Sequence, residues 1–329
     1  MAKRVSTAAV CIFLVLLMIP GQAGAWGGLG HEWINQVAAA KMAAPIPEFM
    51  FTPAARERLR YLGPEPDRWR SSIEKFVKGA QEPDHFFDTE ALPADFGELP
   101  ISRYDFIHRL YDRRAIALLN GMDHAQADQL IPERIGFQPY ITMEVFDRLR
   151  NAFREYRHMK AARQETTQAE QNAIFYAGWL GHYVADGSQP LHVSVNYDGW
   201  IGPNPNGYVT AHGIHSDFET RFVNENLKPE DFAGMVTAPV QLKDPFKNYQ
   251  QYLCDSLAQM EPLYKLEKAG GFKGAGSPEG RAFAAKRLAA GAQMLVNLWY
   301  TAWMESAVDP PAYRPKPTTP APTPTPPPK

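Results

Sequence analysis

The sequence has little cysteine, no excess of positive charge and no second long apolar run. Of its two cysteines in 329 residues, Cys11 lies near the N-terminus and only Cys254 lies in the remainder, which therefore cannot form an internal disulfide. We expect Cys254 to be a small buried side chain on a helix. Lys and Arg number 34 against 36 Asp and Glu, a balance that argues against a nucleic-acid-coating role.

The first 25 residues have the pattern of a signal peptide. Lys3 and Arg4 precede an apolar run at 9–19, which is shorter than the roughly 20 residues of a membrane-spanning helix. The small residues at 23–25 are typical of a cleavage site, so the mature chain should begin at Trp26 and be secreted or periplasmic.

The rest of the chain predicts one all-α domain over 26–308, followed by a Pro- and Thr-rich disordered tail at 309–329. Strand-type alternation is nearly absent, and a Gly- and Pro-rich loop spans 197–213. Apolar residues recur at helical spacing over 30–42, 102–119, 143–159, 167–185, 216–224, 245–266 and 278–306.

Two His–acid pairs flank a further histidine. His182 and Asp186 lie four residues apart on a predicted helix, and His192 follows shortly after that helix ends. His215 and Glu219 have the same spacing at the start of the next helix. Residues four apart share a helix face, and imidazole and carboxylate are common zinc ligands. One such pair is more often a surface hydrogen bond, but two pairs around a third histidine indicate a metal site.

Trp26, His31 and His108 are further candidates. If cleavage exposes Trp26, its α-amine and carbonyl oxygen can chelate a metal, and the glycines that follow allow His31 to join them. His108 lies on the predicted helix 102–119, where a lone histidine is more often a core residue.

These residues resemble a family. The string Gly-His182-Tyr-Val-Ala-Asp186-Gly-Ser-Gln-Pro-Leu-His192, with Gly-Ile-His215-Ser-Asp-Phe-Glu219, resembles the signature of zinc-dependent phospholipases C. It is also similar to that of the single-strand-specific zinc nucleases that share their fold. The resemblance implies an all-α fold with three zinc ions.

Residue by residue, the resemblance implies one ion bound by Asp84, His108, His182 and Asp186. A second ion would be bound by His192, His215 and Glu219. The third would be bound by the Trp26 amine and carbonyl with His31 and Asp186, so that Asp186 bridges two ions. Asp84 matches the family through the Pro-Asp sequence in which it lies. Asp88, one helical turn later, is the alternative ligand.

The other histidines have weaker contexts. His212 competes with His215 but has Ser216, a poor zinc ligand, one turn beyond it, so we expect it in the loop or beside the ligands. We expect His85 to be an exposed bystander, with a place near the ligands or substrate as the alternative. His124 and His158 should lie on the surface.

The resulting hypothesis is a phosphodiesterase of the phospholipase C type, in which zinc supplies hydroxide and Asp84 orients or deprotonates the attacking water. Glu219 at the end of the His-x3-acid motif favours phospholipid head groups. The short Trp26–His31 spacing favours the alternative, a single-strand-specific nuclease or nucleotidase. A third hypothesis is a non-catalytic protein that zinc stabilises. Transient contact with a membrane surface is expected, and no partner protein is implied.

Overall fold

The computed structural model describes residues 26–309, and the predicted signal peptide and residues 310–329 of the predicted tail lie outside them. The described chain is all-α, as predicted, and its β-type pairing is an isolated bridge between Tyr197 and Gly199. Its α-helices are α1 (Gly27–Lys41), α2 (Pro53–Leu62), α3 (Glu65–Arg70), α4 (Lys75–Gln81), α5 (Arg103–Leu119), α6 (His124–Ala127), α7 (Pro132–Ile135), α8 (Gln138–Ala161), α9 (Thr167–Ser188), α10 (Ile214–Ser216), α11 (Val223–Asn226), α12 (Glu230–Ala233), α13 (Pro245–Leu257), α14 (Met260–Lys268) and α15 (Pro278–Glu305).

Short 3-10 helices and one π-helix complete the secondary structure. The π-helix, Asp217–Phe222, joins α10 to α11 in one continuous helical run. Such π-type turns occur often at functional sites. The 3-10 helices are Glu48–Phe51, Glu82–His85, Thr89–Ala91, Asp128–Leu130 and Pro190–His192.

Several helices begin where the sequence supplies a capping side chain. The Ser102 hydroxyl accepts the backbone N–H of Asp105 at the start of α5. Asp244 and Ser277 cap α13 and α15 in the same way, and a proline follows each of them. A capping oxygen satisfies one of the unpaired N–H groups at a helix start.

Helix α9 is the centre of the fold, because it packs against α1, α2, α8, α13 and α15. Every residue over 180–188 is buried. Gly181 allows α1 to approach closely, since a Cβ at this position would lie 1.8 Å from Oδ1 of Asn35. The Asn35 amide then donates to the carbonyls of Leu59 and Gly178, which ties α1 to α2 and α9.

The long predicted helices agree with the structure, with two differences. The segment predicted as one helix over 245–266 is two, α13 and α14, with a turn between them. Cys254 is exposed on α13, which contradicts the expectation that it is buried. Among residues 26–309, no helix combines the length and the apolar character needed to cross a bilayer.

Candidate metal centre

Five side chains from four segments form what we call the first group: His31, Asp67, His85, His182 and Asp186. The Nε2 atoms of His31 and His182 each lie 3.4 Å from an oxygen of Asp186. The Asp67 carboxylate lies 3.7 Å from His85 Nε2 and 3.8 Å from His31 Nε2. Two triplets of this group, His31/Asp67/His182 and His85/His182/Asp186, keep their ligand atoms within 4.8 Å of one another.

His192, His215 and Glu219 form the second group. Glu219 Oε2 lies 2.9 Å from His215 Nε2 and 3.5 Å from His192 Nε2. The two Nε2 atoms are themselves 3.1 Å apart. His215 and Glu219 lie one turn apart on the run formed by α10 and the π-helix, so both point towards His192.

Neighbouring helices bring the first group together. His182 and Asp186 share one face of α9, and the α1–α9 contact at Gly181 places His31 on His182, with ring centroids 4.1 Å apart. Asp67 lies on α3, and His85 ends the 3-10 helix Glu82–His85. The main chain of His85 links the groups, because its carbonyl accepts from His192 Nδ1 at 2.7 Å.

Four imidazoles are fixed in one tautomer by backbone carbonyls. Nδ1 of His85, His182, His192 and His215 donates to the carbonyls of Gln81, Gly63, His85 and Tyr197, respectively. A carbonyl can only accept, so Nδ1 carries the proton and Nε2 of the neutral ring keeps a lone pair. This arrangement is typical of histidines that bind metals through Nε2.

Burial perturbs the charges of the first group. Burial holds the pKa values of His85 and His182 well below their usual range, so both rings are neutral. Burial raises the pKa of Asp67 to about 7, although Arg70 opposes the shift. Burial and the nearby Asp67 carboxylate raise the pKa of Asp186 well above its usual value.

In the second group, burial alone would raise the pKa of Glu219, but His215 and His192 hold it well below the usual range. Conversely, burial alone would lower the pKa of His215, but Glu219 raises it. Burial lowers the pKa of His192. The second group is therefore a carboxylate with two imidazoles, to which a cation would bind favourably.

The donor set fits zinc. Nε2 of His85 and His182, both oxygens of Asp186 and Oε1 of Glu219 are buried without a hydrogen bond. Buried polar atoms normally have a partner, and a bound cation supplies one. Imidazole nitrogen with carboxylate oxygen is a common zinc donor set. Several groups of histidine and acidic side chains in this chain could therefore hold a metal ion.

Trp26 lies beside the second group. Its ring is fully buried, and its indole N–H is bonded to Ala185 and Ser188 of α9. Its backbone nitrogen donates to Glu219 Oε2 at 3.2 Å. The Trp26 nitrogen, which was predicted to bind the third ion, therefore lies at the metal centre. The other predicted ligands that lie there are His31, His182, Asp186, His192, His215 and Glu219.

The structure does not bring Asp84 and His108 to this centre. Asp84 forms an ion pair with Arg103 and faces α5. His108 is exposed on α5, whose buried side chains are Phe106 and Leu110. At 100° per residue, position 108 lies about 200° from position 106, so it faces away from the core. In the described part of the chain, neither residue belongs to a ligand group, and Asp88 does not either.

Asp67 and His85 are the residues that the sequence analysis missed. Asp67 is absent from the predicted ligands, and His85, expected to be exposed, is fully buried. One signal was available: the tripeptide Glu-Pro-Asp occurs twice, at 65–67 and 82–84. The Pro-Asp sequence that pointed to Asp84 therefore pointed equally to Asp67, and the second copy runs directly into His85.

Asp198, in the long loop, holds the segment that carries His215. Its Oδ1 accepts the backbone N–H groups of Gly213 at 2.7 Å and His215 at 3.1 Å. Its Oδ2 lies 3.2 Å from Nδ1 of His212, which is 85% exposed and lies in the loop as expected. His124 and His158 are exposed, also as expected.

No protein-family model matches the chain, and no curated protein matches it in sequence. Among solved structures, the chain is distantly similar to the alpha-toxin of Clostridium perfringens from an avian strain, with a TM-score of 0.39 and 14% identity. The match covers 86% of this chain and 64% of the toxin chain, which is less than two thirds of the toxin's length.

Proposed function

We propose that this protein is a zinc-dependent hydrolase that cleaves phosphodiesters. The observation that carries the proposal is the convergence of Nε2 of His192, Nε2 of His215 and Oε2 of Glu219 within 3.5 Å of one another. Because both Nδ1 atoms donate to carbonyls, all three atoms present lone pairs to the same point. A cation bound at this point would have three ligand atoms from the second group, and the first group offers a second such point close by.

Zinc ions, when bound, lower the pKa of water towards 7 and offset the charge of phosphoryl oxygens. We propose that the first group holds two of the three ions and that the second group, beside which the Trp26 nitrogen lies, holds the third. These assignments replace Asp84 and His108 by Asp67 and His85.

The chain's own residues then position the reactants. Asp67 and His215 are the most accessible members of the two groups, with side chains 13% and 14% exposed, so a substrate would approach at this side. Asp67 Oδ1 lies 3.1 Å from Nη2 of Arg70. We assign Asp67 Oδ2 to orient the attacking water and accept its proton, in place of Asp84, and Arg70 to attract a phosphoryl oxygen.

Two classes of phosphodiester are candidate substrates. Phospholipid head groups are the favoured class, since Glu219 occupies the final acidic position of the His-x3-acid motif. Single-stranded nucleic acid is the second candidate, because Trp26 and His31 are only five residues apart, at the start of α1. Both substrates present a phosphodiester, so the same centre would serve either.

The test compares hydrolysis of phosphatidylcholine and single-stranded DNA by the chelator-treated protein before and after zinc is restored. We expect activity to disappear with chelation and to return with zinc. The matched control is His108→Ala, which should retain activity, whereas His192→Ala should not. Full zinc occupancy without hydrolysis of either phosphodiester would favour a zinc-stabilised structural protein and overturn the proposal.

A further inference from the structure

A buried glutamine, Gln189, lies between the two groups of the metal centre. It follows the last residue of α9 and precedes the 3-10 helix Pro190–His192. It is fully buried, although it belongs to neither group of candidate ligands. Burying a side-chain amide is unfavourable unless its donors and its acceptor have partners, so the partners of Gln189 indicate what it does.

The main chain of Gln189 connects the two groups. Its N–H donates to the carbonyl of Asp186, a member of the first group, at 3.0 Å. Its carbonyl accepts the N–H of His192, a member of the second group, also at 3.0 Å. The turn at Gln189 therefore fixes the path of the chain from one group to the other.

The side chain of Gln189 adds a further connection within the second group. Its Oε1 accepts the N–H of Leu191 at 2.8 Å and so caps the 3-10 helix that ends at His192. Its Nε2 donates to Glu219 Oε2 at 3.1 Å, across 30 residues of sequence. A backbone N–H can only donate and an ionised carboxylate can only accept, so these two partners determine which end of the amide is the oxygen.

The oxygen that Gln189 contacts is the one that faces the two imidazoles of the second group. Glu219 Oε2 lies 2.9 Å from His215 Nε2 and 3.5 Å from His192 Nε2. The other oxygen, Oε1, has no hydrogen-bond partner among residues 26–309. The last torsion of a glutamate side chain has a broad energy minimum, so a hydrogen bond is needed to keep one oxygen in place.

We propose that Gln189 is a positioning residue of the second group, whose amide holds Glu219 Oε2 and the turn before His192 in the geometry that binds the ion. Gln189 thus supports two ligands of this group, and Asp198 supports the third, His215. This inference deepens the proposed function and rests on it for the identity of the ion. Binding of the ion requires no hydrolysis, so the two proposals can fail separately.

The alternative is that Gln189 only stabilises the turn through Leu191, and two variants separate these roles. Gln189→Glu retains an oxygen that can accept from Leu191, but it replaces the donor to Glu219 by a second carboxylate oxygen. Gln189→Met has a similar size and removes both hydrogen bonds. A positioning role predicts that both variants bind zinc more weakly, whereas a role in the turn alone predicts this only for Gln189→Met.

The test measures zinc affinity by chelator competition and zinc content by metal analysis, both without substrate. Each Gln189 variant should bind one ion roughly 10- to 100-fold more weakly than the wild type, the usual effect of losing a residue that orients a ligand. At a chelator concentration that leaves the wild type fully loaded, each variant should therefore lose about one zinc per chain.

The matched control is Gln138→Met, which changes another fully buried glutamine. Gln138 Nε2 donates at 2.7 Å to the main-chain carbonyl of Tyr183 in α9, rather than to a ligand carboxylate. This variant should lower the stability of the fold but keep the zinc content and affinity of the wild type. Loss of the same ion from Gln138→Met would show that any weakening of the packing around α9 releases zinc, and it would overturn the proposal.

Hydrolysis of bis(p-nitrophenyl) phosphate gives a second measurement. Because Gln189 is fully buried, it should not contact the substrate, and KM of Gln189→Met should equal that of the wild type. Its kcat should approach the wild-type value when free zinc is raised by about 100-fold, since the defect lies in metal affinity. A changed KM at full zinc content would mean that Gln189 acts on the substrate instead.

Other outcomes are equally decisive. The proposal is wrong if Gln189→Glu binds zinc as well as the wild type does, or more tightly. If the Gln189 variants do not fold, NMR of the wild type decides, because the side-chain amide signals of Gln189 should shift when zinc is added, and unshifted signals would overturn the proposal. Variants that lose zinc, with a wild type that hydrolyses no phosphodiester, would leave the positioning role intact and refute the proposed function.

Discussion

Replacing Asp67 by Asn should stabilise the metal-free protein and weaken its stabilisation by zinc. Burial raises the pKa of Asp67 to about 7 from an ordinary value of 3.8. At 1.36 kcal/mol per pKa unit, the ionised carboxylate then costs the metal-free fold about 4 kcal/mol above pH 7. Asn carries no charge and avoids this cost. Because the variant also loses the ion pair between Asp67 and Arg70, we expect a gain of about 3 kcal/mol.

The gain depends on pH in a defined direction. The folded metal-free protein holds the Asp67 proton more tightly than the unfolded chain does. The wild type therefore loses stability as the pH rises from about 4 to about 7, whereas the Asn variant has no such group. The difference in unfolding free energy between the wild type and the Asn variant should be near zero below pH 4 and should reach its full value by pH 8.

In the zinc-loaded protein this gain in stability should be offset by weaker zinc binding. Loss of a residue that merely orients a ligand costs 10- to 100-fold in metal affinity, so loss of a ligand should cost at least 100-fold, or about 2.7 kcal/mol of zinc-dependent stability. Urea unfolding at pH 8, with chelator and with zinc, measures both quantities. Asp84→Asn is the control, since it removes another buried carboxylate but should change the stability of the metal-free and the zinc-loaded protein equally. Destabilisation of the metal-free protein by Asp67→Asn would refute the reasoning.

Three further predictions concern the centre. His85→Ala should lose about one zinc per chain and at least 100-fold in activity, and His108→Ala neither, as measured by metal analysis and turnover. Asp198→Ala should weaken zinc binding by 10- to 100-fold in chelator competition with little change in helix content, because the segment that carries His215 loses both hydrogen bonds to the Asp198 carboxylate; unchanged competition would rule out this role. A chain with Met before Trp26 should bind about one metal fewer than one that begins at Trp26, and equal content would remove Trp26 from the ligands.

Much of the fold could be predicted because its long helices are strongly periodic. The segments that became α5, α9 and α15 were identified near their observed bounds. The helices over 53–81 were missed because α2, α3 and α4 have only six to ten residues each. A periodicity argument needs a window longer than that.

The positions of several candidate ligands could not be predicted for the same reason. Asp67 lies on α3, within the unassigned region, so its approach to α9 could not be inferred. His108 could have been rejected from the sequence, because Phe106 and Leu110 define the buried face of α5 and position 108 lies opposite. His85 and Asp84 are adjacent, and a 3-10 helix turns one towards the centre and the other towards Arg103. Local spacing alone does not determine which of two neighbours faces inwards.

The burial of the acidic side chains at the centre also indicates how a bound metal would affect the stability of the fold. Asp186 is fully buried, the Asp67 side chain is only 13% exposed, and the oxygens of Asp186 have no hydrogen bond. Carboxylates in such surroundings oppose folding unless a proton or a cation neutralises them. Protons neutralise Asp67 and Asp186 only at lower pH, whereas metal ions do so at neutral pH and above. Metal binding should therefore release protons and contribute more to stability as the pH rises through 7.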